Sequence, residues 1–253
     1  MKRSLLLLSL FVVAFGMTGC VKARMETTIN ADGSGTFSMN ASVTESVAEA
    51  LKEMEEIGGM DGMDAPSMDI KKDELEAACK KHDVTIKKFE ESQPGGAQMI
   101  DMILEFKTLE GLSAVLDATM DNEGGMKLFK TTDGNYVLRG SKDMGGEDSD
   151  EDMASDDDSD DDSDSPDEMD PAKMGKAMEI MGKLMSSMQE LDVAMRITVP
   201  SDIIESNAPK TDGRTSIWEI NSDNMMTAGE SMGEPEIVFS GKGIKIDAPA
   251  DEN

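Results

Sequence analysis

Apolar and polar residues change rhythm several times along the chain, and each change marks an element. In 25–42, Met25, Thr27 and Ile29 alternate with polar neighbours. Asp32-Gly33-Ser34-Gly35 interrupts them, and Phe37, Met39 and Ala41 resume the alternation. A period of two on both sides of an Asp-Gly pair predicts a β-hairpin, because Gly supplies the positive φ of a tight turn. From 43 to 57 the period lengthens. Val43, Val47, Leu51 and Met54 share one side and Glu45, Glu49, Glu53 and Glu56 lie away from it. This predicts an amphipathic helix capped by Ser42 or Thr44. Residues 58–68 read as a Gly-, Met- and Asp-rich loop. A short helix is predicted over 73–81, with Asp73 and Glu74 at its start and Lys80 and Lys81 at its end, complementing its dipole. Residues 84–89 read as a strand with Val84, Ile86 and Lys88 on one face. After a turn at 93–96, residues 99–106 read as a strand with Ile100, Met102, Leu104 and Phe106 facing one way. A helix over 109–116 and a hairpin over 126–139 follow, the latter turning at Asp133-Gly134-Asn135.

The second half opens with a helix over 171–191, which Pro171 begins at a position where proline is tolerated. Met174, Met178, Met181, Met185 and Met188 recur at alternating intervals of four and three, so they form one stripe. Ile180, Leu184 and Leu191 widen it. A strand over 195–199 ends before Pro200, and Ile203 and Ile204 read as its continuation to 207. Asp212-Gly213 turns the chain into a strand over 216–220. Residues 237–246 supply one or two more strands, and the tail from 247 is polar. Hairpins interrupted by helices predict an α+β fold: a mainly antiparallel sheet with packed helices. Residues 147–170 break every pattern, with 15 acidic residues, five serines and no base. Such a tract cannot bury enough apolar surface to fold and repels itself, so it is expected to be disordered. The expected organisation is a signal segment at 1–19, one α+β domain in two parts at 20–146 and 171–253, and an acidic insertion at 147–170. The C-terminal part alone would be marginally stable.

Charge narrows the partners. The chain of 253 residues carries a formal charge of −29. Nucleic acid is excluded, since its phosphates would be repelled. Adhesion to an anionic lipid surface by charge alone is disfavoured for the same reason. Met is abundant, at 24 residues, while aromatics are 4%. Thioethers filling a core adapt their shape more readily than Leu or Phe.

The N-terminus carries the most specific signal. Lys2 and Arg3 precede an apolar run over 5–15, which is shorter than the ~20 residues needed to span a bilayer. Gly16-Met17-Thr18-Gly19-Cys20 follows. A basic start, a short apolar run and small residues at a cut site make a secretory signal. With a cysteine directly after them, the segment resembles the lipobox of bacterial lipoproteins. The resemblance implies that Cys20 becomes the first mature residue and carries lipid on its thiol and amine. A membrane partner through that N-terminal lipid follows. Met17 stands where Leu is usual. Val21 stands where Asp would signal inner-membrane retention in enteric bacteria, which favours the outer membrane of the cell envelope if that rule applies. With Cys20 acylated, Cys79 has no intramolecular partner. It either pairs between chains or, at helical spacing from Leu75, is a small buried residue.

Two further stretches share a pattern. Cys20-Val21-Lys22 leads into a β segment and Asp32-Gly33-Ser34-Gly35. Later, Met195-Arg196-Ile197-Thr198-Val199-Pro200 leads to Glu205-Ser206-Asn207 and Ser216-Ile217-Trp218. This order, with the strand and helix over 100–116, resembles the LppM-type lipoprotein domain of bacteria. The resemblance implies an α+β fold with a cavity and, for one branch, binding of envelope lipids. Ser201 replaces the Gly expected after Pro200, the Asp-rich insertion is outside the pattern, and no C-terminal membrane helix is present.

Candidate chemistry is sparse. His82 is the only histidine and sits at a predicted helix end. No nucleophile elbow, phosphate loop or His-pair zinc motif occurs, so no catalytic residue, cofactor or metal ligand is expected. The acidic tract suits hard cations by its oxygens, but no Gly lies within 156–164 to turn a Ca²⁺ loop. Weak divalent-cation association is the most it would support. The Met stripe reads as core, or alternatively as lining for a ligand cavity through Met178, Met181, Met185 and Met188. Trp218 reads as a buried anchor or a pocket rim. Together these readings predict a non-enzymatic, membrane-anchored envelope lipoprotein that binds lipid or another apolar ligand. The alternative is a structural or protein-interaction lipoprotein with an acidic spacer.

Overall fold

Alternating residues on either side of the first Asp-Gly turn build the hairpin at the centre of the fold. Strand β1 (Val21–Ile29) and strand β2 (Gly35–Val43) pair in one unbroken antiparallel register, from Val21 opposite Val43 to Ile29 opposite Gly35. Gly33 takes φ +87° in the turn, while Asp32 accepts hydrogen bonds from the Ser34 amide and hydroxyl at 3.1 and 2.7 Å. These bonds hold the exposed Asp32 carboxyl below its ordinary pKa. The computed structural model describes residues 21–56, 70–120, 125–140, 171–188, 191–224 and 234–251. The expected signal segment, the loop at 58–68 and the acidic insertion at 147–170 lie outside those residues.

Helix α1 (Glu45–Glu56) leaves β2 after Thr44, whose carbonyl accepts from the Ala48 amide at 3.0 Å. Helix α2 (Lys72–Lys81) has Asp73 and Glu74 in its first turn and Lys80 and Lys81 in its last. It leads to β3 (Thr85–Ser92), a 3₁₀ turn (Pro94–Gly96) and β4 (Gln98–Phe106). Helix α3 (Leu109–Met120) and the hairpin of β5 (Met126–Lys130) and β6 (Tyr136–Gly140) follow. Helix α4 (Pro171–Met188) precedes β7 (Leu191–Thr198), β8 (Ile203–Ser206), β9 (Lys210–Asp212), β10 (Thr215–Asn221) and β11 (Glu236–Phe239).

The fold is α+β, as the pattern predicts. A seven-stranded sheet runs β3-β4-β2-β1-β7-β10-β9, and a four-stranded sheet runs β5-β6-β11-β8. Every strand pair is antiparallel except β1 with β7, which run parallel from Val21 beside Leu191 to Thr28 beside Thr198. Residues before and after the acidic tract contribute strands to both sheets.

Four local expectations are corrected. Leu191, read as the end of the second-half helix, opens β7 instead, where it pairs with Val21. Ile203 and Ile204 do not prolong β7. The chain breaks at Pro200 and crosses to the second sheet, where β8 pairs with β11. A bulge between Ile86 and Lys88 shifts the register of β3, so Ile86 and Phe89 share a face and Lys88 turns to the opposite one. There Lys88 meets Asp101 at 2.9 Å and Glu90 at 3.1 Å, and these pairs hold its ammonium above its usual pKa. Finally, only 236–239 of the predicted 237–246 is a strand. The remainder straps the two sheets together: Lys245 donates to the Ala31 carbonyl at 2.8 Å, and Tyr136 Oη donates to the Ile246 carbonyl at 2.7 Å.

The main core lies on one face of the large sheet. Phe37, Met39, Ile100, Met102 and Leu104 from the strands meet Leu75 and Cys79 of α2, Leu112 and Val115 of α3, and Tyr136, Leu138, Ile237 and Phe239 of the second sheet. Tyr136 and Phe239 stack with centroids 5.6 Å apart. Burial raises the pKa of the Cys79 thiol, which is free. The opposite face of the large sheet carries Lys22, Arg24, Glu26 and Arg196. It is laced by exposed pairs such as Arg24 with Asp192 at 3.2 Å, each of small energetic weight.

Candidate ligand site

Side chains directly opposite each other in neighbouring strands stand on the same face of a sheet. In the large sheet that rule aligns one row across six strands. Phe89, Met102, Met39, Met25, Met195 and Trp218 are successive register partners. Four thioethers thus lie between two aromatic rings.

Coverage of this face is uneven. Met102 and Met39 are buried under α2 and α3, and Trp218 is 1% exposed. Toward the start of β1 the cover thins. Val21, Ala23 and Met25, with Leu191, Val193 and Met195 beside them on β7 and Ile220 on β10, are all only half-buried. Ala23, Met25 and Met195 pack against the edge of the main core, and Val21, Leu191, Val193 and Ile220 continue the same apolar face beyond it, the kind of surface that ligand sites use. This floor ends at Val21, the residue following Cys20.

Trp218 borders the floor and holds its one polar irregularity. The indole Nε1–H is buried without a hydrogen-bond partner. An unmet buried donor costs ~1–3 kcal/mol, which is why such groups are rare. On the same strand face, the Ser216 hydroxyl pairs with that of Ser206 at 2.9 Å. The Trp218 N–H is thus a buried donor at the edge of this face, closed off from solvent in the present arrangement.

The three described methionines of the α4 stripe are not core. Met178, Met181 and Met185 are 72%, 46% and 65% exposed, whereas Ile180 is fully buried. Helix α4 packs on α1, whose Val47 and Ala50 are also buried, and these residues stand apart from the main core. Ile180 lies about 100° round the helix from Met181. Burying Ile180 against α1 turns the methionines outward. Helical periodicity located the stripe but could not say which flank would meet a neighbour. The side chains of Met174 and Met188 lie outside the described residues, as does Cys20.

His82 ends α2 and its amide donates to the Ala78 carbonyl at 3.1 Å. Among the described residues, no group of three or more His, Cys, Asp or Glu is placed to hold a metal ion, and no helix is long and apolar enough to cross a membrane. The floor of β1 and β7 went unremarked in the sequence. Its signal, apolar residues at 21, 23, 25 and 191, 193, 195, is visible, but nothing local says that these two segments lie side by side.

No protein-family model matches the chain, and no curated protein matches it. Among solved structures, the chain is similar to the folded domain of LppM from Mycobacterium tuberculosis, determined by NMR. The TM-score is 0.39 and the identity 10%, with 93% of each chain covered. At that score and identity the likeness assigns no residue and no activity.

Proposed function

We propose that this protein is a non-enzymatic lipoprotein of the cell envelope, tethered through acylated Cys20, whose body holds a lipid or other apolar ligand on the half-buried floor of β1, β7 and β10. The observation that carries the reading is this apolar floor, incompletely covered and bordered by the unpaired Trp218 N–H. A ligand with an aliphatic chain and one acceptor oxygen suits both features. Thioethers suit chains of varied length, since their flexible side chains adapt to different shapes. The lipobox-like segment supports the tether, and Val21 in place of Asp supports the outer membrane where enteric sorting rules hold.

Trp218 is the sole tryptophan of the chain, so its emission reports directly on the site. Titrating the protein with a monoacyl phospholipid below its critical micelle concentration is expected to shift Trp218 emission saturably. Replacing Met25 and Met195 together with Gln is expected to weaken that response. Trp218→Phe, followed with a fluorescent fatty acid, is expected to bind more weakly while unfolding at nearly the same denaturant concentration. Absence of a saturable response in the unaltered protein overturns ligand binding and leaves the protein-interaction lipoprotein as the better reading.

A further inference from the structure

The sheet register puts two features at one end of the molecule. Val21, the residue after Cys20, pairs with Leu191, and Leu191 follows closely on the end of α4 at Met188. Helix α4 therefore ends beside the point where the chain meets its proposed anchor. Among the described residues it also carries three of the four exposed large hydrophobic side chains, the fourth being Ile204. Met178 and Met185 are 72% and 65% open to solvent, and Met181, on the same side of the helix, is 46% open. Three such residues on one helix face form a patch that an isolated soluble domain has no use for. The charge of the helix itself, though not of its neighbour α1 with five glutamates and one lysine, is unlike that of the chain. Helix α4 has three lysines and one glutamate, against 53 acidic and 24 basic residues overall.

We propose that α4 is a second membrane contact: Met178, Met181 and Met185 lie in the boundary between headgroups and acyl chains of the bilayer that holds the anchor. The inference rests on the tether reading above. The anchor fixes the protein at one point only, so a nearby apolar helix face adds buried area and removes rotational freedom. Because α4, α1 and the open end of the β1–β7 floor share one end of the sheet, docking α4 turns that floor toward the bilayer. A ligand would then pass between membrane and protein without crossing water.

The test supplies its own tether, so that it does not depend on acylation. The chain from Val21 onward, with an N-terminal hexahistidine tag and Cys79→Ala, is bound to phosphatidylcholine vesicles containing a nickel-chelating lipid. An environment-sensitive fluorophore is placed at Met181→Cys or, as a control at the opposite end of the large sheet, at Asp212→Cys. Circular dichroism checks that each variant folds. The label at 181 is expected to shift to the blue on tethering and to lose emission to brominated lipid, and the label at 212 to do neither. Adding Met178→Gln and Met185→Gln is expected to abolish the response at 181. Equal solvent exposure of both labels on the vesicle overturns the docking. So does a concentration-dependent blue shift at 181 before vesicles are added, which would show a second copy covering the face. Mass spectrometry of the native N-terminal peptide tests the acylation of Cys20 separately.

Discussion

Arg139 and Asp251 meet in a two-pronged pair: Nη1 donates to Oδ1 at 2.8 Å and Nη2 to Oδ2 at 3.0 Å. The Arg139 Nε donates to Glu236 at 2.7 Å, and its guanidinium lies over the Phe129 ring at 5.6 Å. Asp251 first and Glu236 second hold the guanidinium well above its usual pKa. The pair ties the C-terminal segment to β6 and β11, and at the end of β5 the Lys130 amide donates to the Pro249 carbonyl and the Asp251 amide to the Lys130 carbonyl.

Asp251→Asn removes the charge and one prong while keeping the shape. Charge-assisted, partly buried bonds of this kind contribute ~1–3 kcal/mol. A fall of that size in unfolding free energy is expected in urea titration. No measurable change would show that the strap adds nothing to the stability of the domain.

Two methionines give opposite forecasts. Met102 is fully buried at the middle of the sheet row, so Met102→Ala is expected to cost ~2–5 kcal/mol. Met185 is exposed, and Met185→Ala is expected to change stability by less than ~0.5 kcal/mol. Comparable losses at both sites would contradict the outward orientation of α4.

Gly35 is required by close approach. It sits opposite Phe106 in the β2–β4 register, and a Cβ there would overlap both the Phe106 ring and the Thr28 carbonyl oxygen. The overlap is with backbone as well as side chain, so relaxation is limited. Gly35→Ala is expected to destabilise by ~1–3 kcal/mol, the usual range for overpacking, and thermal unfolding checks it.

Cys79 gives a pH dependence with a definite sign. Burial raises the pKa of its thiol in the folded protein above the ordinary 9.0. The unfolded chain therefore loses its thiol proton first as pH rises. Stability from this group is intact below pH 9.0 and declines as pH climbs through the higher folded value. Cys79→Ala is expected to be less sensitive to alkali over that interval. The native thiol is expected to react slowly with iodoacetamide, and rapid labelling without unfolding would refute its burial.

Much of the fold could be read from periodicity because its elements are local. The hairpin around Asp32-Gly33 and the helices at Lys72–Lys81 and Leu109–Met120 announce themselves through apolar spacing and helix-end charges. What could not be read is long-range. The parallel pairing of β1 with β7 has no turn to mark it, and the transfer of Ile203 to the second sheet depends on β11 being there to receive it. The bulge at Lys87 is a single inserted residue that alternation alone cannot detect. The site shows the same division. Trp218 was legible as a buried anchor, but its unpaired N–H and the half-open floor beside it are products of tertiary assembly.

The parallel seam between β1 and β7 also sets the order in which the molecule can be completed. Val21 must wait for Leu191, so the N-terminal hairpin has one open edge until most of the chain has emerged. Pairing across so long a loop is intrinsically slow, and an unpaired edge is open to wrong partners. The large sheet therefore cannot close before Leu191, about three-quarters of the way along the chain, is available.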